Sequence, residues 1–226
     1  MKTKKGIYHF VVDKSGSMMG LEEQVVTGFN MQLSKMKELA QTYKDQEYVA
    51  SVTYFDGEVQ EIIKFESIDK VKPLHISNYV PDGMTALLDA VGGAIDKTIE
   101  NYHSELKAKE VNVVFIILTD GDENSSQYYT HNLVSLKIKK LEETGDWTFT
   151  FIGADFDARE VSQKLNIKRE NVVSLSKAFF SREMAYLSDS MDEYEQARLS
   201  GNKKSNFFSS ILNRFKEDDT INNLKQ

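Results

Sequence analysis

The chain has 226 residues, with 28 basic and 35 acidic side chains, a net charge of −7 and no cysteine. That length suits one full domain able to bury a sizeable core, and the missing cysteines exclude a disulfide scaffold. With 12 Gly, 2 Pro and apolar residues spread throughout, collagen-like and low-complexity classes are excluded as well. No run of 18 apolar residues is present, so no helical membrane span is expected. The apolar stretch near the start closes at Asp13 without a small-residue cleavage site, unlike a secretion signal, so a cytoplasmic location is expected. Residues 1–199 hold 23 basic and 32 acidic side chains, a charge of −9. Polyanion binding depends on clustered Lys and Arg, so nucleic acid is not an expected ligand, whereas a bound cation is compatible.

In chain order, Ile7 to Asp13 is a continuous apolar run ending on a carboxylate and predicts a buried strand. From Leu21 to Tyr43, Val25, Phe29, Leu33, Met36 and Leu39 recur at helical spacing. Residues 48–55 and 58–65 flank Asp56-Gly57 and predict a hairpin with a two-residue turn. Residues 85–106 predict one helix, with Leu88, Val91, Ile95 and Ile99 on its apolar stripe. Residues 111–119, the most apolar run, read as a central parallel strand between helical neighbours. A helix over 128–143, a strand over 147–153, a short helix from Asp157 to Leu165, a strand from Asn171 to Leu175 and a helix from Ala178 to Leu199 follow. The alternation predicts an α/β fold with a mainly parallel sheet, one antiparallel strand, and helices on both faces. In such sheets ligands sit beyond the carboxyl ends of strands, which directs attention to the residues after Asp13 and Thr119.

Those strand ends carry Asp13-Lys14-Ser15-Gly16-Ser17 and Thr119-Asp120-Gly121, while Pro81-Asp82-Gly83-Met84-Thr85 opens the helix between them. Together they offer carboxylates and hydroxyls with neither His nor Cys, a donor set for a hard cation rather than Zn²⁺. Thr85 is also a natural N-cap residue for its helix. Asp122 and Glu123 read as solvated loop acids. Asp120-x-Asp122-x-Asn124 begins like a calcium loop, but Ser125 stands where Gly is needed and His131 where the bidentate Glu is needed. No phosphate-cradling G-x-x-x-x-G-K-[ST] run is present, and His9, His75, His103 and His131 read as packing or surface residues.

The Asp-x-Ser-x-Ser loop, the distant Thr85 and the later Thr-Asp-Gly resemble the metal-ion-dependent adhesion site of von Willebrand factor A domains, over roughly residues 6–199. That resemblance implies a three-layer, Rossmann-like fold and a metal shell of Asp13, Ser15, Ser17, Thr85 and Asp120. The ion implied is Mg²⁺ or Mn²⁺, with Ca²⁺ a poorer fit. The activity implied is recognition of an acidic residue on a partner protein, without turnover. The runs 119–126 (TDGDENSS) and 151–158 (FIGADFDA) are similar to cytosolic bacterial or phage members of the tellurium-resistance and stress-operon type. Those members imply a partner such as an ATPase-driven chaperone or a phage assembly. Two other readings of the same residues are a Mg²⁺-dependent phosphoryl transferase with Asp13 or Ser15 as nucleophile, and a purely structural ion.

Residues 200–206 read as a polar linker. Beyond it Phe207, Phe208, Ile211, Leu212 and Phe215 form one stripe of a short amphipathic helix. Such a stripe either docks on its own domain or serves self-association. Lying on a membrane is not expected, because the polar face has few basic residues and runs into Glu217-Asp218-Asp219.

Overall fold

The computed structural model describes residues 5–154, 158–176, 180–201 and 206–208. Six strands, β1 (Lys5–Asp13), β2 (Glu47–Phe55), β3 (Val59–Ser67), β4 (Val111–Thr119), β5 (Trp147–Ala154) and β6 (Val172–Leu175), form one sheet in the order β3-β2-β1-β4-β5-β6. Only β2 and β3 pair antiparallel; β1 lies parallel between β2 and β4. Strand side chains alternate in direction, which splits the core into two layers. Tyr8, Phe10 and Val12 of β1 pack under α1 (Glu22–Thr42) and α6 (Phe180–Leu199). Ile7 and Val11 face α2 (Leu87–Asn101), α4 (His131–Glu143) and α5 (Ala158–Lys164). Covered on both faces, β4 is buried along its whole length, as its unbroken apolar run requires. No helix among the described residues is long and apolar enough to cross a membrane.

Two local expectations are corrected. The segment over 85–106 is two helices, α2 and α3 (His103–Lys107), separated at Tyr102. The Tyr102 ring meets Phe65 edge-on and carries the Lys5 ammonium over it, and the Tyr102 backbone departs from helical geometry at φ −122°, ψ 25°. The hairpin turn holds three residues, since Phe55 pairs with Val59 and Asp56, Gly57 and Glu58 lie between them. The Asp56 carboxylate explains the extra residue: it accepts from the Glu58 backbone N–H at 2.8 Å and pairs with Lys14 at 2.6 Å. The predicted starts at Asp157 and Ala178 lie outside the described residues; the helices are described from Ala158 and Phe180.

At the other end of the chain, Phe207 and Phe208 are fully buried. Phe207 packs on Tyr194 of α6, and its N–H donates to Asn171 Oδ1 at 2.8 Å. These two side chains therefore belong to the core of their own chain, which corrects the idea that they are offered for self-association. Ile211, Leu212 and Phe215 lie outside the described residues.

Candidate metal centre

β1 and β4 are neighbours whose following connections depart to opposite sides of the sheet. Their carboxyl ends thus open a crevice, and Asp13 and Asp120 stand at it. After Asp13 the chain forms a single turn of 3₁₀ helix over Gly16–Met18. The Ser15 backbone N–H donates to Asp13 Oδ1 at 2.7 Å, curling the loop around the carboxylate. The Ser15 and Ser17 hydroxyls lie 3.1 Å apart, and Ser17 Oγ donates to Asp120 Oδ1 at 2.6 Å. The second loop is stitched on by its backbone: Gly16 N–H donates to Gly83 O, and Asp82 N–H to Lys14 O. Gly83 adopts φ +74°, a left-handed turn that lets its carbonyl reach Gly16. The hairpin tip completes the frame, with Asp56 O accepting from Ala86 N–H at 2.7 Å.

All five residues predicted from the sequence are thereby brought to one edge of the sheet. Asp13 and Ser15 are buried, Ser17 is exposed, and Thr85 is 3% exposed. Thr85 does not cap its helix: α2 begins at Leu87, and its N-cap position, Ala86, offers no side-chain acceptor. Thr85 is almost wholly buried, but its hydroxyl oxygen is not among the buried side-chain atoms left without a hydrogen-bond partner, so it has access to the surface of the crevice. Burial pushes the Asp13 carboxyl up to about 6, and the Asp120 charge adds to that, against opposing hydrogen bonds from Thr119 and Ser15. Every group bonded to Asp13 is neutral: Ser15 N–H, the Thr119 hydroxyl at 2.5 Å on Oδ2, and the Tyr79 hydroxyl at 2.5 Å on its backbone carbonyl. Two carboxylates and three hydroxyls, with no cation among the described residues in contact with Asp13, make a donor set that fits a hard divalent ion. Among the described residues no cluster of three or more His, Cys, Asp or Glu suited to a metal exists, which leaves any ion here dependent on hydroxyl ligands.

Several supporting residues escaped the sequence reading. Asn124, considered there as a calcium-loop position, instead accepts from Thr85 N–H at 2.8 Å and fixes the Thr85 backbone. Glu123 is not a solvated acid. Its carboxylate accepts from the backbone N–H groups of Ser125 and Ser126, the Ser126 hydroxyl, and the Leu88 N–H in the first turn of α2. Ser126 Oγ then accepts from Asp89 N–H, so the open end of α2 is capped by the loop after β4 rather than by its own residue. Asp89 reciprocates by accepting from the N–H groups of Gln127, Tyr128 and Tyr129. Acid at the first turn of a helix is a legible capping signal, but the cross-loop direction is not. Asp122, by contrast, is exposed as expected.

Comparison with known proteins agrees with this architecture. Solved structures with the same fold include a von Willebrand factor type A protein from Catenulispora acidiphila, 13% identical at TM-score 0.58, covering 83% of this chain and 42% of that one. The vWF domain of the type V pili tip protein Mfa5 from Porphyromonas gingivalis is 10% identical at TM-score 0.59, covering 85% and 97%. The SpRpn10 VWA domain is 12% identical at TM-score 0.57, covering 80% and 94%. This chain thus spans less than half of the Catenulispora protein, and identities this low speak to fold alone. No curated protein matches. The family model for the von Willebrand factor type A domain matches residues 9–193, and the chain belongs to that family.

Proposed function

We propose that this domain, from a family of protein-interaction modules, recognises its partner through a divalent cation held by Asp13, Ser15, Ser17, Thr85 and Asp120. The observation that carries the reading is the oxygen chain Ser15–Ser17–Asp120 beside a buried Asp13 that contacts no cation among the described residues. A bound Mg²⁺ or Mn²⁺ would supply a Lewis-acidic position for a partner's carboxylate, since the two carboxylates and three neutral hydroxyls fill at most five of its six octahedral positions and leave one for an incoming oxygen. The protein's own part is positional. Asn124 holds Thr85, the Gly16–Gly83 bond fixes the spacing of two loops, and Thr119 and Ser15 orient the Asp13 carboxylate. Binding rather than turnover is the reading, in a cytoplasmic protein of the bacterial or phage stress-operon type, with a larger ATPase-linked or phage assembly as the partner class.

Calorimetric titration of the metal-stripped chain with Mn²⁺ and Mg²⁺ tests the site. Saturable binding that disappears in Asp13→Ala and in Ser15→Ala/Ser17→Ala, with circular dichroism unchanged, is the expected result. An immobilised pool of glutamate-containing peptides should then retain the wild type with Mn²⁺ and release it with chelator, while a glutamine pool should not retain it. Failure to bind either ion at millimolar concentration would overturn the metal-dependent reading.

A further inference from the structure

The surface around the candidate ion site combines two features that the metal ligands do not explain. Met19, two residues after Ser17, is 60% exposed, and Met84, immediately before Thr85, is 55% exposed. They flank one junction: the Gly16 N–H meets the Gly83 carbonyl at 3.1 Å, and Met19 Cε lies 3.9 Å from where a Cβ on Gly16 would stand. Beyond Met19 a shallow cleft of about 520 Å³ contains the exposed Ile76 and Val80 together with Glu22 and Glu23. Beyond Met84 a second cleft of about 480 Å³ is lined by Asp56, Glu58 and Asp82. Its single basic side chain, Lys14, is already paired with Asp56 at 2.6 Å. The edge of the sheet therefore presents exposed apolar side chains and carboxylates side by side in the two clefts that flank the junction.

From this arrangement we infer that the partner segment carries one isolated acidic residue flanked by large apolar residues, and that acidic runs are rejected. The inference rests on the metal-dependent reading above and specifies the partner of that same site. A carboxylate can enter where the ion offsets it, but a second one placed in either cleft meets the like charge of Glu22 and Glu23 or of Asp82 and Glu58 that line it. Apolar neighbours instead remove Met19, Met84, Val80 and Ile76 from water, and thioether side chains adapt their shape to what they meet.

An array of glutamate-centred peptides separates these contributions. Three flank classes are compared on the Mn²⁺-loaded full chain: Leu, Ile and Phe; Gly and Ser; Asp and Glu. A central Gln serves as control. Apolar flanks should bind about tenfold tighter than Gly/Ser flanks, the difference expected from burying roughly 50–60 Å² of additional apolar surface, and acidic flanks should bind weakest. Met19→Ser/Met84→Ser should erase the apolar advantage while leaving Mn²⁺ calorimetry unchanged. Mn²⁺ binding with equal affinity for all flanks, with an advantage that survives the double substitution, or with no retention of any glutamate peptide overturns the inference. Absence of Mn²⁺ binding overturns the metal-dependent reading and this inference with it.

Discussion

Two acidic side chains are fully buried near opposite ends of the sheet, and the chain treats them differently. Glu195, on α6, accepts from the hydroxyls of Tyr8 and Tyr48 at 2.7 and 3.1 Å and is forked by Arg198, whose nearest nitrogen is 2.6 Å away. Near the start of β1 and β2, then, a buried carboxylate has its countercharge built in. At the carboxyl end of β1, Asp13 is equally buried yet bonded only by neutral donors. The difference teaches that Glu195 is a closed structural element joining α6 to the sheet, whereas Asp13 is an open one with no countercharge among the described residues. A buried carboxylate without a cation shifts toward its protonated form, in line with the rise of Asp13 to about 6.

The comparison is broken most forcefully at its closed end. Arg198→Ala strands a buried Glu195, and a loss of about 3–5 kcal/mol is expected in urea unfolding. Between the two ends lies His9, which burial pushes down to about 3, with Lys97 a further cause. Its neutral ring bridges Thr53 and Thr98 at 2.9 and 3.2 Å and stacks on Phe115. The folded state thus refuses a proton that the unfolded chain accepts below its ordinary 6.5. The stability involved is fully present above that pH and lost as pH falls toward about 3, at up to about 1.4 kcal/mol per pH unit. His9→Gln should make the acid limb of the urea midpoint between pH 6 and pH 4 shallower than in wild type.

Smaller effects sharpen the open end. Gly92→Ala would bring a Cβ within 2.3 Å of the Tyr129 ring, whose hydroxyl is held by Asp96 at 2.7 Å. The expected overpacking cost of about 1–3 kcal/mol exceeds the ~1 kcal/mol an alanine gains inside a helix, so the melting temperature should fall. Because Tyr129 belongs to the segment whose backbone Asp89 holds, Mn²⁺ affinity should fall with it. The smallest stability change belongs to Asp13→Asn in metal-free protein. A raised carboxyl opposes folding once ionised: stability is highest below its ordinary 3.8 and falls as pH rises through about 6. Removing that charge at pH 7 offsets the lost acceptor oxygen, and a net change within about 1 kcal/mol is expected from thermal unfolding. Asp13→Asn should nevertheless abolish ion binding, the reverse of the Arg198→Ala pattern.

Much of this was legible in the chain because apolar period and strand-end chemistry are local. The run 111–119 is β4, residue for residue, and Ser15, Ser17 and Asp120, singled out from the sequence, meet through their side-chain oxygens. What sequence pattern could not show depends on contacts between distant segments. The helix breaks at Tyr102, whose ring meets Phe65 edge-on, and Glu123 caps α2 from 35 residues away. Asn124 resembled a ligand because its type and spacing suit one, yet its oxygen is spent on the Thr85 backbone. Phe207 and Phe208 could have been surface or core from their spacing, and the pocket formed by Tyr194 and Asn171 decides for core.

The central claim, that Asp13 takes its countercharge from a divalent cation, is tested most directly by thermal unfolding of metal-stripped wild type and Asp13→Ala at pH 7 with increasing Mn²⁺. The account predicts a saturable rise in melting temperature for wild type and none for Asp13→Ala, since an ion that binds only the folded state stabilises it by mass action. A wild type that does not respond to millimolar Mn²⁺, or an Asp13→Ala protein that responds equally, would contradict it.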